Sequence, residues 1–425
     1  MKKSTLFAAL LAMLTCTAFA SQKRKVLILG LDGVRSDALQ QATTPHIDSL
    51  IAGGFYTYDS WCLGITVSGP SWSTIFTGVW YPKHGVTDNS FAGSNYNQYP
   101  YFPKRAKELL PNINAVQIVD WSPMSDQVYN EGYDQKIVRT TNDLAAMLAA
   151  TQVQLQNPNL DVLNLHVDNI DAAGHASGFS PSNAAYMSAI QSVDTWVGQV
   201  MAALRARPNY ANEDWLVFVI TDHGGLGTSH GGNSNEERHI WWIATGENVQ
   251  HKQITAVDPG SYNMATNPVD TNLLKKAPTQ SDIAVTALHH LIYSTGIRPD
   301  DKSTTQGAAW NLDGKSWLDS IMVPTVDTTT TPPPTPSAVP NVNANFDVKI
   351  YPNPATNLIT LWFDPMGKPV SYAVTNAVGQ VVKEMTQVSM QEKLNIDLGS
   401  QPAGNYFITV IAGDRKTVKQ VVLTK

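Results

Sequence analysis

Cysteine is nearly missing from this chain: two residues in 425, Cys16 and Cys62. Cys16 lies in a segment expected to be removed, so no intrachain disulfide can form and stability must come from the core and bound ions. Positive charge is also scarce. Lys and Arg number 29 against 35 Asp and Glu, a net of −6. That balance argues against a partner that is a nucleic-acid polymer, which usually meets a basic patch. It does not exclude a nucleotide as a small substrate. Long apolar runs are confined to the start. MKKSTLFAALLAMLTCTAFA opens with Lys2 and Lys3, continues apolar and ends on small residues at Ala18-Phe19-Ala20. This pattern predicts a cleaved secretory leader over 1–20, too short in its apolar part for a membrane anchor. No later run is long enough to cross a bilayer.

What is present is a core. Hydrophobic residues make up 43% and charged residues 15%, enough for a sizeable packed domain. Near-continuous apolar runs occur at 26–33, 161–168 and 214–224, with a weaker copy at 114–120. Each ends in acidic residues and turn chemistry. Runs of this kind predict strands buried on both faces, hence an α/β fold with a mostly parallel sheet. Helices are predicted over 45–52, 70–77, 182–205 and 281–295. In such folds the carboxyl ends of the strands carry the site.

The predicted domains are a catalytic domain over 25–325, a Thr/Pro-rich linker over 326–344 and a separate piece over 345–425. The linker contains TTTTPPPTPS, whose composition favours extended chain. Beyond it, VKIYPNPATNLITLWF, VSYAVTNAVGQVV and GNYFITVIAG alternate apolar and polar residues between turn signals. That is the pattern of a small all-β sandwich.

Four clusters at predicted strand ends or turns carry the chemistry. They are Asp32-Gly33, Asp171-Ala-Ala-Gly-His175, Asp222-His223-Gly224 and His230-Gly231-Gly232. Taken singly, each reads as an ordinary polar turn. Together they supply three Asp and three His, a donor set that recurs in two-metal phosphoryl-transfer sites and suits zinc, with manganese or magnesium as alternatives. The four-residue spacing of Asp171 and His175 places both on one side of a helix if that turn is helical. His166 and Asp168 are expected to support the site rather than ligate. His46, His84, His239, His251, His289 and His290 have contexts that point to packing or surface.

Ser68 heads Ser-Gly-Pro-Ser-Trp72 before a helical stretch. A hydroxyl there sits near unpaired N–H groups that welcome an anionic ester; the plain alternative is a capping serine. Trp61, Trp72, Phe91, Tyr96, Tyr99 and Tyr101 are candidate pocket aromatics, with core packing the commoner fate. Lys83 and Arg238 are the basic candidates for a doubly charged monoester.

The segments LDGVRSDAL, TPHIDSLIAGG, SGPSWSTIFTG, YPKHGVTDN, DNIDAAGHASG, TDHGG and SHGGNSNEER occur in that order. On them the chain resembles the alkaline phosphatase superfamily, most closely type I phosphodiesterases/nucleotide pyrophosphatases. The resemblance implies an alkaline-phosphatase-like α/β sandwich around the sheet. It also implies one metal on Asp171, His175 and His230, and another on Asp32, Asp222, His223 and the Ser68 oxygen. Ser68 would be the catalytic nucleophile, passing through a phosphoseryl intermediate, and Asn89 would bind a non-bridging phosphoryl oxygen. Sulfatases of the superfamily carry x-Pro-x-Arg after the nucleophile; Trp72 stands at the Arg position. Many family diesterases use Thr, and Thr66 is nearby, but spacing to Pro70 and Thr77-Gly78 favours Ser68. YPNPATN, NAVGQVV, PAGNYFITV and the ending KQVVLTK resemble the type IX secretion sorting domain. That implies export by this machinery from a Gram-negative bacterium, to the medium or cell surface. The alternatives are a phosphomonoesterase, a sulfatase-like hydrolase or, in a different class, a non-catalytic surface binding protein.

Overall fold

Three strands of unbroken apolar character organise the molecule. A computed structural model describes residues 22–127, 132–263, 268–322, 348–363, 370–376, 381–388, 393–412 and 415–424. The expected leader over 1–20 and linker over 326–344 lie outside the described residues. The chain divides into two units, Met1–Val326 and Asp327–Lys425.

In the first unit the strands are β1 (Lys23–Leu31), β2 (Phe55–Trp61), β3 (Asn114–Val119), β4 (Gln135–Val138), β5 (Leu160–Val167), β6 (Glu213–Ile220), β7 (His239–Thr245) and β8 (Lys252–Gln253). They form one sheet in the order β4-β3-β5-β1-β6-β7-β2-β8. From β4 through β6 every pairing is parallel. Strand β7 runs antiparallel to β6 and β2.

The interior strands are buried on both faces, which explains their lack of alternation. Val26 and Ile28 of β1 enter one hydrophobic cluster with Leu216, Phe218 and Ile220 of β6. Leu27, Leu29 and Leu31 enter the other with Trp215, Val217 and Val219. Helices Ser68–Thr77 and Ser281–Ile292 cover the first face, through Trp72, Phe76, Val285 and Leu288. Helix Ala184–Arg205 covers the second with Tyr186, Ile190, Val193, Val197, Val200 and Leu204, the three-and-four spacing of a one-sided stripe.

Some boundaries differ from expectation. The long helix starts at Ala184, because Asn183 accepts the N–H groups of Ala185 and Tyr186 as its cap. The helix expected from residue 70 starts at Ser68. The last expected helix ends at Ile292 and tightens into a 3-10 turn over Tyr293–Thr295. Strand β6 stops at Ile220 rather than 224, because Thr221 and Asp222 turn to accept N–H groups from Val34 and Gly33. No described helix is long and apolar enough to cross a membrane.

The second unit contains β9 (Val348–Tyr351), β10 (Leu358–Phe363), β11 (Val370–Asn376), β12 (Val381–Val388), β13 (Lys393–Asp397), β14 (Gly404–Ala412) and β15 (Arg415–Leu423). They form two antiparallel sheets, β13-β10-β9 and β12-β11-β14-β15. Ile359, Leu361, Val374, Ile396, Ile408, Val410 and Val421 make their common core.

Candidate metal centre

Parallel pairing brings the carboxyl ends of β1, β5 and β6 to one edge, with Gly30 opposite both His166 and Ile220. Asp32 leaves β1 with its N–H on the Val167 carbonyl at 3.0 Å. Gly33 then turns with φ 71°; a Cβ there would sit 2.6 Å from Asp171 Oδ1. Only glycine accepts both the dihedral and the approach. The Asp171–His175 segment is helical, inside Asn169–Ser177, and the two side chains stand 3.2 Å apart. Asp222 and His223 follow β6 and are fully buried. His223 Nε2 lies 3.2 Å from Asp222 Oδ2 and 3.6 Å from Asp32 Oδ1. His230 comes from the glycine-rich loop, its Nε2 3.6 Å from Asp171 Oδ1.

The three imidazoles are held alike. Nδ1 of His175 meets the Thr228 carbonyl at 2.9 Å, that of His223 the Gly224 carbonyl at 2.8 Å, and that of His230 the Thr66 carbonyl at 2.8 Å. A carbonyl only accepts, so Nδ1 carries the hydrogen and Nε2 presents a lone pair. Yet His175 Nε2 and His230 Nε2 approach to 3.0 Å. Two lone pairs at that distance repel unless they share a cation. The carboxylates make the same demand: Asp32 Oδ1, Asp171 Oδ1 and Asp222 Oδ2 are buried without a hydrogen-bond partner, an expensive condition for a charged oxygen. The ligand atoms of Asp171, His175 and His230 lie within 4.8 Å of one another, as do those of Asp32, Asp222 and His223, and those of Asp32, Asp168 and Asp171. These residues therefore fit divalent cations.

Electrostatics agree. Burial, then the charges of Asp32 and Asp168, push the Asp171 carboxyl up to about 9. Burial and Asp32 push Asp222 well above the carboxylate range. Asp32 is the exception: burial would raise it, but hydrogen bonds from His166 and Trp72 and the nearby imidazoles hold it low. Burial and the neighbouring His230 bring His223 down to about 3, keeping its ring neutral as a ligand must be.

Ser68 is the first residue of its helix, 6% exposed, with Oγ 3.3 Å from His223 Nε2. It is not the cap; Val67 holds that place. The rival Thr66 has its hydroxyl engaged, donating to the Gly232 carbonyl at 2.7 Å and accepting from Gly231 N. Asn89 is exposed, and its Oδ1 accepts the Gly69 N–H at 2.7 Å. That bond leaves the amide hydrogens to donate elsewhere.

Trp61, Trp72, Phe91, Tyr96, Tyr99 and Tyr101 are all buried, the commoner fate expected of them. Trp72 stacks on Phe76, Phe76 on Tyr101, and Tyr96 meets Tyr101 edge-on. The two basic candidates are already engaged. Arg238 forks onto Asp258 through two 2.8 Å contacts, and Lys83 pairs with Asp313. Neither is a spare cation for phosphate. Among the other histidines, His84 bonds Thr74, His239 pairs with Asp59, His289 bonds Ser316 and His290 donates to the Asp214 carbonyl. His46 and His251 belong to none of the candidate cation clusters among the described residues. Sequence reasoning missed Asp120, just past the end of β3, whose carboxylate accepts the Asp168 N–H and lies 3.4 Å from His166 Nδ1; its signal was the acidic residue ending that weaker run.

Comparison with known proteins places these residues in context. The family model described as type I phosphodiesterase / nucleotide pyrophosphatase matches residues 26–121 and 114–314. The secretion system C-terminal sorting domain matches residues 349–424. Ectonucleotide pyrophosphatase/phosphodiesterase family member 3 of Mus musculus is 25% identical over 228 residues, covering 47% of this chain and 24% of the mouse protein. The bis(5'-adenosyl)-triphosphatase ENPP4 of Homo sapiens is 24% identical over 243 residues, covering 52% of this chain and 51% of the human protein. The chain thus spans about a quarter to about half of the length of these curated relatives. A sulfatase candidate from Bacteroides thetaiotaomicron superposes with a TM-score of 0.51 at 13% identity, covering 94% of this chain and 85% of that one. At that identity the likeness concerns the fold alone.

Proposed function

The chain belongs to the type I phosphodiesterase / nucleotide pyrophosphatase family, and on that premise we propose that it hydrolyses phosphodiester or pyrophosphate bonds of a small substrate at the Asp/His cage. The observation that carries this is the set of inward lone pairs: three imidazole Nε2 atoms and three unpartnered carboxylate oxygens beside the Ser68 hydroxyl.

Asp171, His175 and His230 would hold one divalent cation, and Asp32, Asp222, His223 and the Ser68 oxygen a second. Zinc suits the mixed imidazole and carboxylate donors best, ahead of manganese or magnesium. When bound, such ions supply Lewis acidity toward phosphoryl oxygens and neutralise the carboxylates. The protein's own groups do the rest. Ser68 Oγ attacks phosphorus as the bond to the leaving oxygen breaks, giving a phosphoseryl ester that water then cleaves. The Asn89 amide hydrogens, freed by the Gly69 contact, donate to a non-bridging oxygen.

A diester or pyrophosphate is favoured over a monoester because the two basic side chains marked for an extra charge, Lys83 and Arg238, are already neutralised. The sulfatase alternative loses support at Trp72, whose indole donates to Asp32 at 2.8 Å in the position where sulfatases carry Arg.

The sorting-domain match supports export. We infer a leader over 1–20, a catalytic domain over 25–325, a linker over 326–344 and a sorting domain over 345–425. The destination would be the medium or the surface of a Gram-negative bacterium.

Replacing Ser68 with Ala should abolish hydrolysis of bis-p-nitrophenyl phosphate while leaving metal content largely intact. Retained turnover would reject the covalent step. Running p-nitrophenyl phosphate and the sulfate in parallel ranks the three ester classes.

A further inference from the structure

The two oxygens of Asp32 have different surroundings. Oδ2 accepts two donors, Trp72 Nε1 at 2.8 Å and His166 Nε2 at 2.9 Å. Oδ1 is buried, has no donor, and lies 3.6 Å from His223 Nε2. A carboxylate with one oxygen pinned by two N–H groups cannot swing, so it offers a cation one atom in one direction.

Strand pairing builds this clamp. Gly30 lies opposite His166 across β1 and β5. Alternation along β1 then turns Asp32, two residues on, to the same side of the sheet. A Cβ at Gly30 would lie 2.6 Å from the Trp72 ring, so the missing side chain is what lets that indole reach Asp32. His166 stands edge-on to Trp72, with 5.0 Å between ring centres. Its second nitrogen is 3.4 Å from Asp120 Oδ1. Asp120 is itself fixed, accepting the Asp168 N–H at 3.0 Å and the Asn142 N–H at 3.2 Å. His166 belongs to none of the candidate cation clusters among the described residues.

We infer that His166, which stands beside Asp120, is a positioning residue that dedicates Asp32 Oδ1 to the cation shared with Asp222 and His223. The inference rests on the two-cation reading above. It makes the two ions unequal: His166 bonds to Asp32, a donor of one, and its hydrogen bonds and ion pairs include no donor of the other. Outer groups of this kind typically govern metal affinity by about 10–100-fold.

The test measures zinc stoichiometry and affinity, by elemental analysis and chelator competition, on the intact protein and its variants, with thermal melts as the folding control. Wild type should bind two zinc ions. His166→Leu removes the donor and should weaken one ion by about 10–100-fold while leaving the other near wild type. His166→Gln puts an amide N–H where Nε2 was and should recover most of that affinity. Should the Leu variant fail to fold, His166→Asn replaces it: its shorter amide does not reach Asp32, so it should lose what the Gln variant keeps. A folded Leu or Asn variant that binds both ions as wild type does, or loses both equally, overturns the proposal. Wild type binding fewer than two ions sinks the cage itself, a separate failure visible before any variant is made.

Discussion

Buried carboxylate oxygens without a hydrogen-bond partner, gathered at one place, mark a site for cations. Asp32 Oδ1, Asp171 Oδ1 and Asp222 Oδ2 are such atoms, and the opposed Nε2 atoms of His175 and His230 make the same point with lone pairs. Their convergence depends on one dihedral. Gly33 at φ 71° leaves no room for a Cβ against Asp171. Gly33→Ala should therefore lose bound metal and cost more than about 1 kcal/mol of stability from backbone strain alone. Metal analysis with a denaturant melt checks both; an Ala variant with full metal content would show that the turn tolerates a side chain.

Elements are locked at the end of the sheet opposite the candidate metal centre. Glu213 begins β6 and accepts two contacts from Arg207, each at 2.8 Å, and the Trp215 indole at 2.7 Å. Lys25 of β1 lies 3.2 Å away. Burial would raise the Glu213 carboxyl, but these donors and charges bring it down to about 2 from an ordinary 4.5. A carboxyl lowered on folding stabilises the fold above its unfolded value. Its contribution is complete above pH 4.5 and fades as pH falls toward 2. At neutral pH Glu213→Gln should melt below wild type, and the two melting curves should converge as the pH drops through that window. Curves that stay parallel would mean the network contributes nothing through its charge.

Across the whole molecule, each unit closes its own core. The first is built on two clusters either side of the sheet, the second on one between its two antiparallel sheets. A chain ending at Val326 should keep its catalytic constants on the diester and its melting temperature, while losing export from the producing cell. Loss of turnover in the shortened protein would tie the second unit to catalysis.

Much of the architecture was legible from the residues alone. Buried parallel strands need apolar side chains on both faces, so 26–33, 161–168 and 214–224 declared themselves, and acidic residues at their ends located the active edge. The six candidate ligands and Ser68 were recognisable as types in order. Folding decided how those types are used. Strand register set His166 beside Asp32, backbone carbonyls chose the nitrogen each imidazole turns inward, and Asp258 and Asp313 took the cations that Lys83 and Arg238 offered. The aromatic residues went to the core for the same reason: a spacing along the chain says nothing about which distant group will be near enough to bond. Composition and local pattern report what a segment can become, whereas contacts between distant residues exist only once the sheet has brought them together.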